Sequence, residues 1–347
     1  MEWMIYGANG YTGQLIAEAA VERGLKPVLA GRNAQALETL GQRLSLPVRV
    51  FGLDHAQAVE NGLNGIALVL HCAGPFSQTC APMLEGCLAV GAHYLDITGE
   101  IDVFAHCHAQ HARAAQRGIV VLPGSGFDVV PTDCLAALLK ARMPKALSLV
   151  LAFEAGGGPS PGTAKTSVEG LGHGGRVRKD GVLQAVPLAW KTRDFERDGQ
   201  WRSAMTIPWG DVYTAFVSTG IPDIEVYMAM PPALIARMRR LGPLGPLLRW
   251  RPLQRWLQAR IERRMDGPSA RTRERSDCVV WGEVRDANGF EERLQLRTPN
   301  GYSLTVDAAL GIAQRLLSGA RPAGGYYTPS QLMGADYVLG LPGVRLA

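Results

Sequence analysis

The chain of 347 residues lacks the features that would assign it to a membrane, secreted or repeat class. No stretch reaches about 18 consecutive apolar residues, so we predict no membrane-spanning helix. The sequence begins without the basic and apolar segments of a secretion signal, and we expect a cytoplasmic protein. Internal repeats and low-complexity segments are missing, and 47% apolar residues argue against disorder. The length and composition predict a globular protein with two domains.

Cysteine pairs with the spacing of a zinc site are also missing. Five of the six cysteines are Cys72, Cys80, Cys87, Cys107 and Cys134, and Cys278 stands apart. We interpret them as reduced, mostly buried thiols. The nearest approach to a metal site is His106-Cys107-His108 with His111, on a predicted helix. We expect this helix face to be exposed to solvent, and we predict no metal.

Lysine is scarce, with 6 lysines against 30 arginines, and the net charge is +5. The positive charge is concentrated in the segment Ala233–Arg275, which holds 12 arginines and 3 acidic residues. The rest of the chain is therefore mildly acidic, with a net charge of −4. This distribution argues against a protein that coats nucleic acid and indicates one local basic surface.

The first 125 residues alternate short apolar runs with amphipathic stretches. The predicted strands are Trp3–Tyr6, Pro27–Ala30, Val48–Phe51, Ala67–His71, His93–Leu95 and Ile119–Leu122. The predicted helices are Gln14–Arg23, Ala34–Leu44, Gln57–Leu63, Cys80–Val90 and Val103–Gln116. Because parallel neighbours need a crossover helix, the alternation predicts an α/β fold with a doubly wound, Rossmann-like parallel sheet.

The pattern changes after Pro131, where strands and helices no longer alternate. We predict helices at Pro131–Arg142 and Thr163–Leu171, a loop at 156–162, and a hairpin around Asn288-Gly289. The second domain is therefore expected to be α+β with a mixed or antiparallel sheet. We place the first domain at 1–130 and the second at 131–302, and we expect 303–347 to pack back on the first.

A glycine-rich loop follows the first predicted strand and precedes the first helix. Its residues are Gly7, Ala8, Asn9, Gly10, Tyr11, Thr12 and Gly13. The glycines permit a tight turn and a close approach to a pyrophosphate, which the helix N-terminus faces. A P-loop is excluded because no Gly-Lys-Ser/Thr follows. The alternative is a glycine turn that holds no ligand.

Arg32 follows the second predicted strand, where an enzyme built for NAD usually has an acidic residue. A guanidinium there can bind a 2′-phosphate through its fork of donors, so we predict NADP(H) as cofactor. A solvated surface arginine is the alternative. Asp54, after the third strand, either bonds the adenine or caps the next helix.

The loop after the fourth strand is predicted to meet the ribose and nicotinamide, because ligands lie at the carboxyl ends of such strands. It consists of Cys72, Ala73, Gly74, Pro75 and Phe76. Phe76 is expected to flank the nicotinamide ring. Cys72 is interpreted as a buried thiol and not as a nucleophile.

Seven motifs along the chain form a recognisable set. They are Tyr6-Gly7-Ala8-Asn9-Gly10-Tyr11-Thr12-Gly13, Cys72-Ala73-Gly74-Pro75-Phe76, Tyr94-Leu95-Asp96-Ile97-Thr98-Gly99-Glu100, Gly126-Phe127-Asp128-Val129-Val130-Pro131-Thr132-Asp133, Pro208-Trp209-Gly210-Asp211, Ser218-Thr219-Gly220-Ile221-Pro222 and Thr298-Pro299-Asn300-Gly301-Tyr302. With these motifs the chain resembles the saccharopine dehydrogenase-like reductases, and within them the bacterial trans-acting enoyl reductases. The resemblance implies an NADP-binding Rossmann domain, a substrate domain with a mixed sheet, and a homodimer. It does not imply one substrate, because such proteins reduce C=C or C=N bonds of different molecules.

A reductase also needs a proton source. Tyr-x-x-x-Lys does not occur in the chain, so the short-chain dehydrogenase mechanism is excluded. The predicted catalytic residues are Asp128, Tyr213 and Lys165. Asp96, Glu100 and Asp133 also follow strands, and His173, Trp209 and Asp211 are expected to line the pocket. The alternative for Asp128 and Asp133 is to cap a helix and tie loops together.

The basic segment 233–275 interleaves arginine with leucine and tryptophan, and prolines divide it into two or three short helices. It is interpreted as a helical lid, as a surface for anionic lipid or an acyl substrate, or, least favoured, as a nucleic-acid contact. The leading hypothesis is an NADPH-dependent reductase of a hydrophobic, acyl or carrier-linked substrate. A non-catalytic NADP sensor and a peripheral lipid-associated protein are the alternatives.

Overall fold

The structure, a computed structural model, describes residues 1–172, 174–241, 250–319 and 322–347. The strands and helices of the first part are β1 (Glu2–Tyr6), α1 (Tyr11–Glu22), β2 (Val28–Gly31), α2 (Ala34–Leu44), β3 (Val48–Val50), α3 (Ala56–Leu63), β4 (Ile66–His71), α4 (Phe76–Val90), β5 (His93–Asp96), α5 (Ile101–Ala109), α6 (His111–Arg117) and β6 (Val120–Leu122). Then follow α7 (Val130–Arg142), β7 (Ser148–Ala155), α8 (Pro161–Leu171), β8 (Gly175–Lys179), β9 (Val182–Val186), β10 (Thr192–Arg197), β11 (Gln200–Thr206), α9 (Asp211–Thr219) and β12 (Asp223–Ala229). The last described elements are α10 (Pro232–Leu241), α11 (Arg251–Arg264), α12 (Ala270–Arg275), β13 (Asp277–Arg285), β14 (Glu291–Pro299), α13 (Gly301–Leu317), β15 (Gly325–Tyr326), α14 (Pro329–Met333), a 3₁₀ helix (Ala335–Gly340) and β16 (Arg345–Leu346).

The first sheet is parallel throughout, as predicted. Its strand order is β15-β6-β5-β4-β1-β2-β3, so the direction of winding reverses between β1 and β4. Both faces of its central strands are buried, with Ile5 in one core and Met4 in the other. Continuous apolar strands of this kind are typical of a parallel sheet covered by helices on both sides. The reversal places a crevice at the carboxyl ends of β1 and β4.

The second sheet is mixed, which confirms the predicted fold class. Its main path is β10-β11-β12-β7-β13-β14-β16, and the hairpin β8–β9 attaches to β12. Strands β7 and β12 are parallel, whereas β13 and β14 form the predicted antiparallel hairpin. Helix α7 packs on this sheet through Leu135 and Leu139, which lie against Gly282.

The segment after residue 302 contacts the first sheet. Helix α13 packs against α1 and β4, and β15 pairs in parallel with β6. Arg23 of α1 forms an ion pair with Asp307 of α13. The domain limits at 130 and 302 remain predictions.

Two predictions about local structure were wrong. The stretch Val103–Gln116, predicted as one helix, is two helices that meet at Gln110. The break brings His111 against β15, where its Nδ1 accepts a hydrogen bond from the Tyr326 amide at 3.1 Å. The predicted loop 156–162 ends early because Ser160 caps α8, accepting a bond from the Thr163 amide at 3.3 Å.

In the described part of the basic segment lie three helices, α10, α11 and α12. Pro252 lies in the first turn of α11, where its missing N–H costs nothing. Pro243 and Pro246 lie outside the described residues. Within the described ranges, every helix is too short or too polar to cross a membrane.

Candidate cofactor and active site

The glycine-rich loop adopts a conformation that only glycine allows at two positions. Gly7 has φ +82°, and a Cβ there would lie 2.8 Å from the Ala73 nitrogen of the neighbouring loop. A Cβ on Gly13 would overlap the Gly7 carbonyl and lie 2.9 Å from the Ala8 Cα. Any side chain at these two positions would therefore collide with the backbone of the turn or of the neighbouring loop.

The N-terminus of α1 is open at this loop. Gly10 precedes the helix, and none of the described side chains caps its N-terminus with a hydrogen bond. These amides carry the partial positive charge of the helix end and need an acceptor. Asn9 of the loop, Gln14 of α1 and Asn33 help to line a cleft of about 390 Å³ between α1 and α2. A pyrophosphate at the helix end and an adenosine in the cleft fit this arrangement.

Arg32 and Asp54 follow β2 and β3, and both charges act on the Tyr6 hydroxyl. Burial raises the pKa of the Tyr6 hydroxyl to about 12, while Arg32 lowers that pKa and Asp54 raises it. Both charged groups therefore act on the same hydroxyl at the edge of the sheet. Within the described ranges, the exposed Arg32 guanidinium has no hydrogen-bond or ion-pair partner. The helix α3 begins at His55 without a side-chain cap, so capping by Asp54 is not supported.

The loop after β4 is held against the glycine-rich loop. The Thr79 hydroxyl donates to the Ala73 carbonyl at 2.7 Å, and the His71 Nε2 lies 3.0 Å from the same hydroxyl. The Glu100 carboxylate accepts bonds from the amides of Phe76 and Ser77, at 2.9 and 2.7 Å, and thereby caps α4. The backbone around Gly74–Phe76 is therefore held by Thr79 on one side and by Glu100, which follows β5, on the other.

His71 and Cys72 are neutral at this site. Burial lowers the pKa of His71 to about 3, and its ring lies edge-on to Phe76 at 5.3 Å. Burial likewise raises the pKa of the Cys72 thiol, which argues against a nucleophile, but Cys72 is half-buried and not the fully buried thiol that the sequence predicted. All six cysteines are free, and all but the half-buried Cys72 are buried.

Cys80, Asp96 and Cys107 form the one cluster of potential metal ligands found among the described residues. The two sulfur atoms are 3.5 Å apart, and burial raises the pKa of the Cys107 thiol. Asp96 is already bonded: it accepts from the Tyr94 hydroxyl at 2.7 Å and from the amides of Thr98 and Gly124 at 2.9 Å each. A protonated Cys107 thiol and a carboxylate that already accepts three hydrogen bonds fit a structural contact better than a metal centre.

Asp128 lies where the loops after β5 and β6 meet. A Cβ on Gly99 would be 3.0 Å from its carboxylate, and the Trp209 indole N–H donates to the Asp128 backbone carbonyl at 2.6 Å. Its carboxylate has no hydrogen-bond partner among the described residues, and burial raises its pKa to about 7. An acid with this pKa carries a proton in about half of the molecules at neutral pH and can donate it.

The two neighbouring acids have other environments. Asp133 accepts bonds from the Ser218 hydroxyl at 2.6 Å and the Ser330 amide at 2.8 Å, and thereby ties α7 to α9 and α14. This is the predicted alternative in which Asp133 holds loops together. Asp211 is 0% exposed, and neither of its oxygens has a hydrogen-bond partner in the described part of the chain. It is enclosed and does not line an open pocket, contrary to expectation.

Tyr213 is held away from this junction. Its hydroxyl lies 2.9 Å from the His108 Nδ1, and His108 stacks on Tyr326 at 4.6 Å. His108 is seven residues beyond the start of α5, or about 10 Å along that helix from the end of β5. The structure thus brings Asp128 to the carboxyl edge of the sheet and places the Tyr213 hydroxyl elsewhere. The expectation that this histidine cluster faces solvent is wrong for His108, which is half-buried.

The remaining predicted residues lie on the second part of the chain. Lys165 is half-buried in the middle of α8. Trp209 packs on Phe153, with ring centres 4.9 Å apart. His173 lies outside the described residues.

Sequence reasoning missed the contact between the glycine-rich loop and the second part of the chain. The Tyr11 ring lies edge-on to Tyr302 at 5.0 Å, and its hydroxyl donates to the Pro268 carbonyl at 2.6 Å. The Tyr302 hydroxyl accepts from the Ser160 amide at 2.5 Å and lies 3.1 Å from the Thr163 hydroxyl. Tyr11 therefore joins the loop to α8 through Tyr302, and directly to the segment that follows α11. The sequence signal was Tyr302 itself, which stands in one of the seven motifs.

Comparison with known proteins agrees with this geometry. Residues 3–122 match the family described as the saccharopine dehydrogenase NADP binding domain. A saccharopine dehydrogenase-like oxidoreductase from Mus musculus is 28% identical over 214 residues, which cover 53% of this chain and 50% of the relative. A trans-acting enoyl reductase from Mycobacterium leprae is 30% identical over 138 residues, or 38% of this chain and 33% of that protein. The match thus spans half or less of the length of these relatives.

Solved structures confirm the fold over the whole chain. Apo saccharopine dehydrogenase (L-Glu forming) from Saccharomyces cerevisiae superposes with a TM-score of 0.70 at 11% identity, covering 100% of this chain and 99% of that one. The homospermidine synthase from Legionella pneumophila, solved with NAD, gives a TM-score of 0.64 at 10% identity, with coverage of 100% and 91%. The predicted resemblance and the NADP(H) cofactor are confirmed by the matching NADP-binding domain.

Proposed function

We propose that this chain, whose residues 3–122 match the saccharopine dehydrogenase NADP binding domain, is an NADPH-dependent reductase of a C=C or C=N bond. NADPH supplies a hydride when it is bound. The observation that carries the proposal is Asp128: it is an acid with a pKa of about 7 and no described partner, beside the loops that frame the nicotinamide. A cofactor-binding loop beside a carboxyl group that can donate a proton fits a reductase better than a non-catalytic NADP sensor.

In this proposal, separate groups of residues bind the separate parts of NADPH. The loop Gly7–Gly13 and the open end of α1 hold the pyrophosphate, and Arg32 pairs with the 2′-phosphate. The loop Cys72–Phe76 frames the nicotinamide, with its backbone fixed by Glu100. Gly10, Tyr11 and Thr12 form the first turn at the phosphates, and Asp54 stands beside Arg32 at the adenosine end.

Asp128 acts as the general acid in this proposal. Its protonated carboxyl donates to the substrate atom that does not receive the hydride, and the resulting carboxylate regains a proton from solvent. Trp209 holds the Asp128 backbone in place through the 2.6 Å hydrogen bond to its carbonyl. Lys165 and Tyr213 are secondary candidates for the proton donor. The Tyr213 hydroxyl is already within hydrogen-bond distance of the His108 Nδ1.

The rings of Phe127, Phe153 and Trp209 flank the Asp128 loop, and this supports a hydrophobic acceptor. We propose an enoyl thioester, either CoA-linked or carrier-linked, as the first class to assay, and an imine as the second. A homodimer in the cytoplasm is part of the same proposal, and sedimentation velocity measures the oligomeric state.

The test is NADPH oxidation with a panel of enoyl thioesters and imines, using wild type and Asp128→Asn. The proposal expects turnover for wild type, and a loss of about 100-fold or more in kcat for the variant with unchanged NADPH affinity. Tight NADPH binding without turnover across the panel would favour a sensor protein instead. Equal turnover of both proteins would remove Asp128 from the mechanism and leave the reductase proposal standing.

A further inference from the structure

One side of α11 is covered by arginines around a tryptophan. Residues of the opposite side, among them Leu253, Leu257 and Ile261, are half-buried, and α11 packs against α8. We call the exposed side the Arg–Trp face. Its residues are Arg255, Trp256, Ala259, Arg260, Arg263 and Arg264.

Ion pairing distinguishes the arginines of this face from most others on the described surface. Elsewhere on the surface arginines are mostly paired, as in Arg113 with Glu85 at 2.7 Å and Arg142 with Glu292 at 3.0 Å. Among the described side chains, no carboxylate pairs with the four arginines of the Arg–Trp face, and Arg260 lies over the Trp256 ring at 5.6 Å. Arg260 and Arg264 are four residues apart, which is a repulsive spacing for like charges on a helix. The face therefore carries a concentrated positive charge that an anionic partner would neutralise.

The ordinary explanations account for only part of this face. Arg263 and Arg264 stand in the last turn of α11, where a cation is favoured by the helix dipole. Arg255 stands near the other end, where a cation is disfavoured. A lid that only packs on the protein would bury its aromatic residues, yet Trp256 is 57% exposed and Trp250, at the start of the helix, is 58% exposed.

Tryptophan among arginines fits the interface of a membrane. The indole ring prefers the boundary between headgroups and acyl chains, and guanidinium groups pair with lipid phosphates. With five arginines in 14 residues, α11 cannot enter the hydrocarbon and can only lie along its surface. A nucleic acid would need a basic track longer than this helix of about 21 Å, and the chain outside the basic segment 233–275 is acidic.

We propose that the Arg–Trp face of α11 docks on membranes that contain anionic phospholipids. The docked helix is close to the cofactor loop: α8 beneath it contacts Tyr302, and the segment after it reaches Tyr11 through Gly267, Pro268 and Arg273. A membrane bound here lies on the side of the molecule where α8 and the cofactor loop meet. This inference concerns a surface and does not depend on the reductase proposal.

The experiment is co-sedimentation of the full chain with vesicles of phosphatidylcholine, with and without phosphatidylglycerol. Wild type is expected to bind only the anionic vesicles, and less at high salt, because salt screens the attraction. Replacing all four arginines (Arg255→Gln, Arg260→Gln, Arg263→Gln, Arg264→Gln) should weaken binding by at least about 100-fold, since each cation near an anionic surface contributes about fivefold. The matched control changes four exposed arginines elsewhere: Arg113→Gln, Arg117→Gln, Arg142→Gln and Arg315→Gln. It removes the same net charge and should retain most of the binding.

A second measurement locates the contact. Brominated lipid should quench the fluorescence of the wild-type chain, and Trp256→Ala should remove much of that quenching, whereas Trp201→Ala should not, although Trp201 is 72% exposed. Circular dichroism confirms that each variant is folded. The proposal is overturned by equal losses in the two four-arginine variants, by wild type that fails to bind anionic vesicles, or by quenching that survives Trp256→Ala. Binding to an acidic carrier protein without binding to vesicles would also overturn it, in favour of a protein partner.

Discussion

Asp128→Asn should stabilise the chain in a way that depends on pH. In the folded chain burial raises the pKa of Asp128 from 3.8 to about 7. Folding therefore favours the protonated form, so the stability that this group contributes is complete below about pH 4 and is lost as the pH rises through 7. Asparagine resembles the protonated acid in shape and does not titrate. The variant should match wild type in acid and exceed it in base.

The magnitude follows from the pKa difference. A shift of about 3 units corresponds to about 4 kcal/mol, and allowance for solvent screening at a half-buried residue reduces it to about 2 kcal/mol. For a chain of this size about 2 °C accompanies each kcal/mol, so Asp128→Asn should raise the melting temperature by about 4 °C at about pH 8 and hardly at all at about pH 4.

The assay is thermal unfolding followed by tryptophan fluorescence across this pH range. The exposed Asp102 provides the matched control, because Asp102→Asn changes the same formal charge on the surface of α5. A difference between wild type and Asp128→Asn that stays constant from acid to base would refute the raised pKa. The proton donor in the proposed mechanism would then have to be sought elsewhere.

Three further predictions test the cofactor site and its supports. Arg32→Glu should weaken NADPH binding at least 100-fold more than NADH binding, measured by fluorescence titration, because it replaces a partner of the 2′-phosphate by a like charge; equal losses would contradict that role. Gly13→Ala should abolish binding of both cofactors, since its Cβ overlaps the Gly7 carbonyl, whereas Gly170→Ala, which meets nothing within 4 Å, should leave binding unchanged. Asp133→Ala should lower the free energy of unfolding by about 2–4 kcal/mol, because it leaves the Ser218 hydroxyl and the buried Ser330 amide without their acceptor. Chemical denaturation measures this change. A variant as stable as wild type would show that water replaces the carboxylate.

The first sheet and its cofactor loop were predictable because their signals are local. Gly7 and Gly13 stand at fixed distances from β1 and α1, and the turn that they make depends on few residues besides their neighbours. Arg32 and the loop Cys72–Phe76 could be placed once the strands were known, because parallel strands end at one edge. These predictions use only the period of the apolar residues and the order of the elements.

The parts that sequence reasoning missed depend on distant contacts. Strands β9 and β10 are short and largely exposed, and they pair only with β8 and β11, so no apolar alternation marks them. Tyr11 meets Pro268 across more than 250 residues of sequence, and Asp133 meets Ser330 across nearly 200. Asp128 and Asp211 look alike in the sequence, and only the packing shows that one is partly open and the other is enclosed. Such differences arise from tertiary packing, which local patterns do not record.

The measurement that tests the central claim most directly is isotope transfer. The chain is incubated with an enoyl thioester and NADPH that carries deuterium at the transferred position, and separately with unlabelled NADPH in D₂O. With labelled NADPH, we predict a product that carries one deuterium from the cofactor. With unlabelled NADPH in D₂O, we predict a product that carries one non-exchangeable deuterium from solvent. Asp128→Asn should form neither product. Two results would contradict the assignment of this protein as a reductase. One is a product that carries no deuterium from the labelled NADPH, and the other is NADPH binding with no product from any enoyl or imine acceptor.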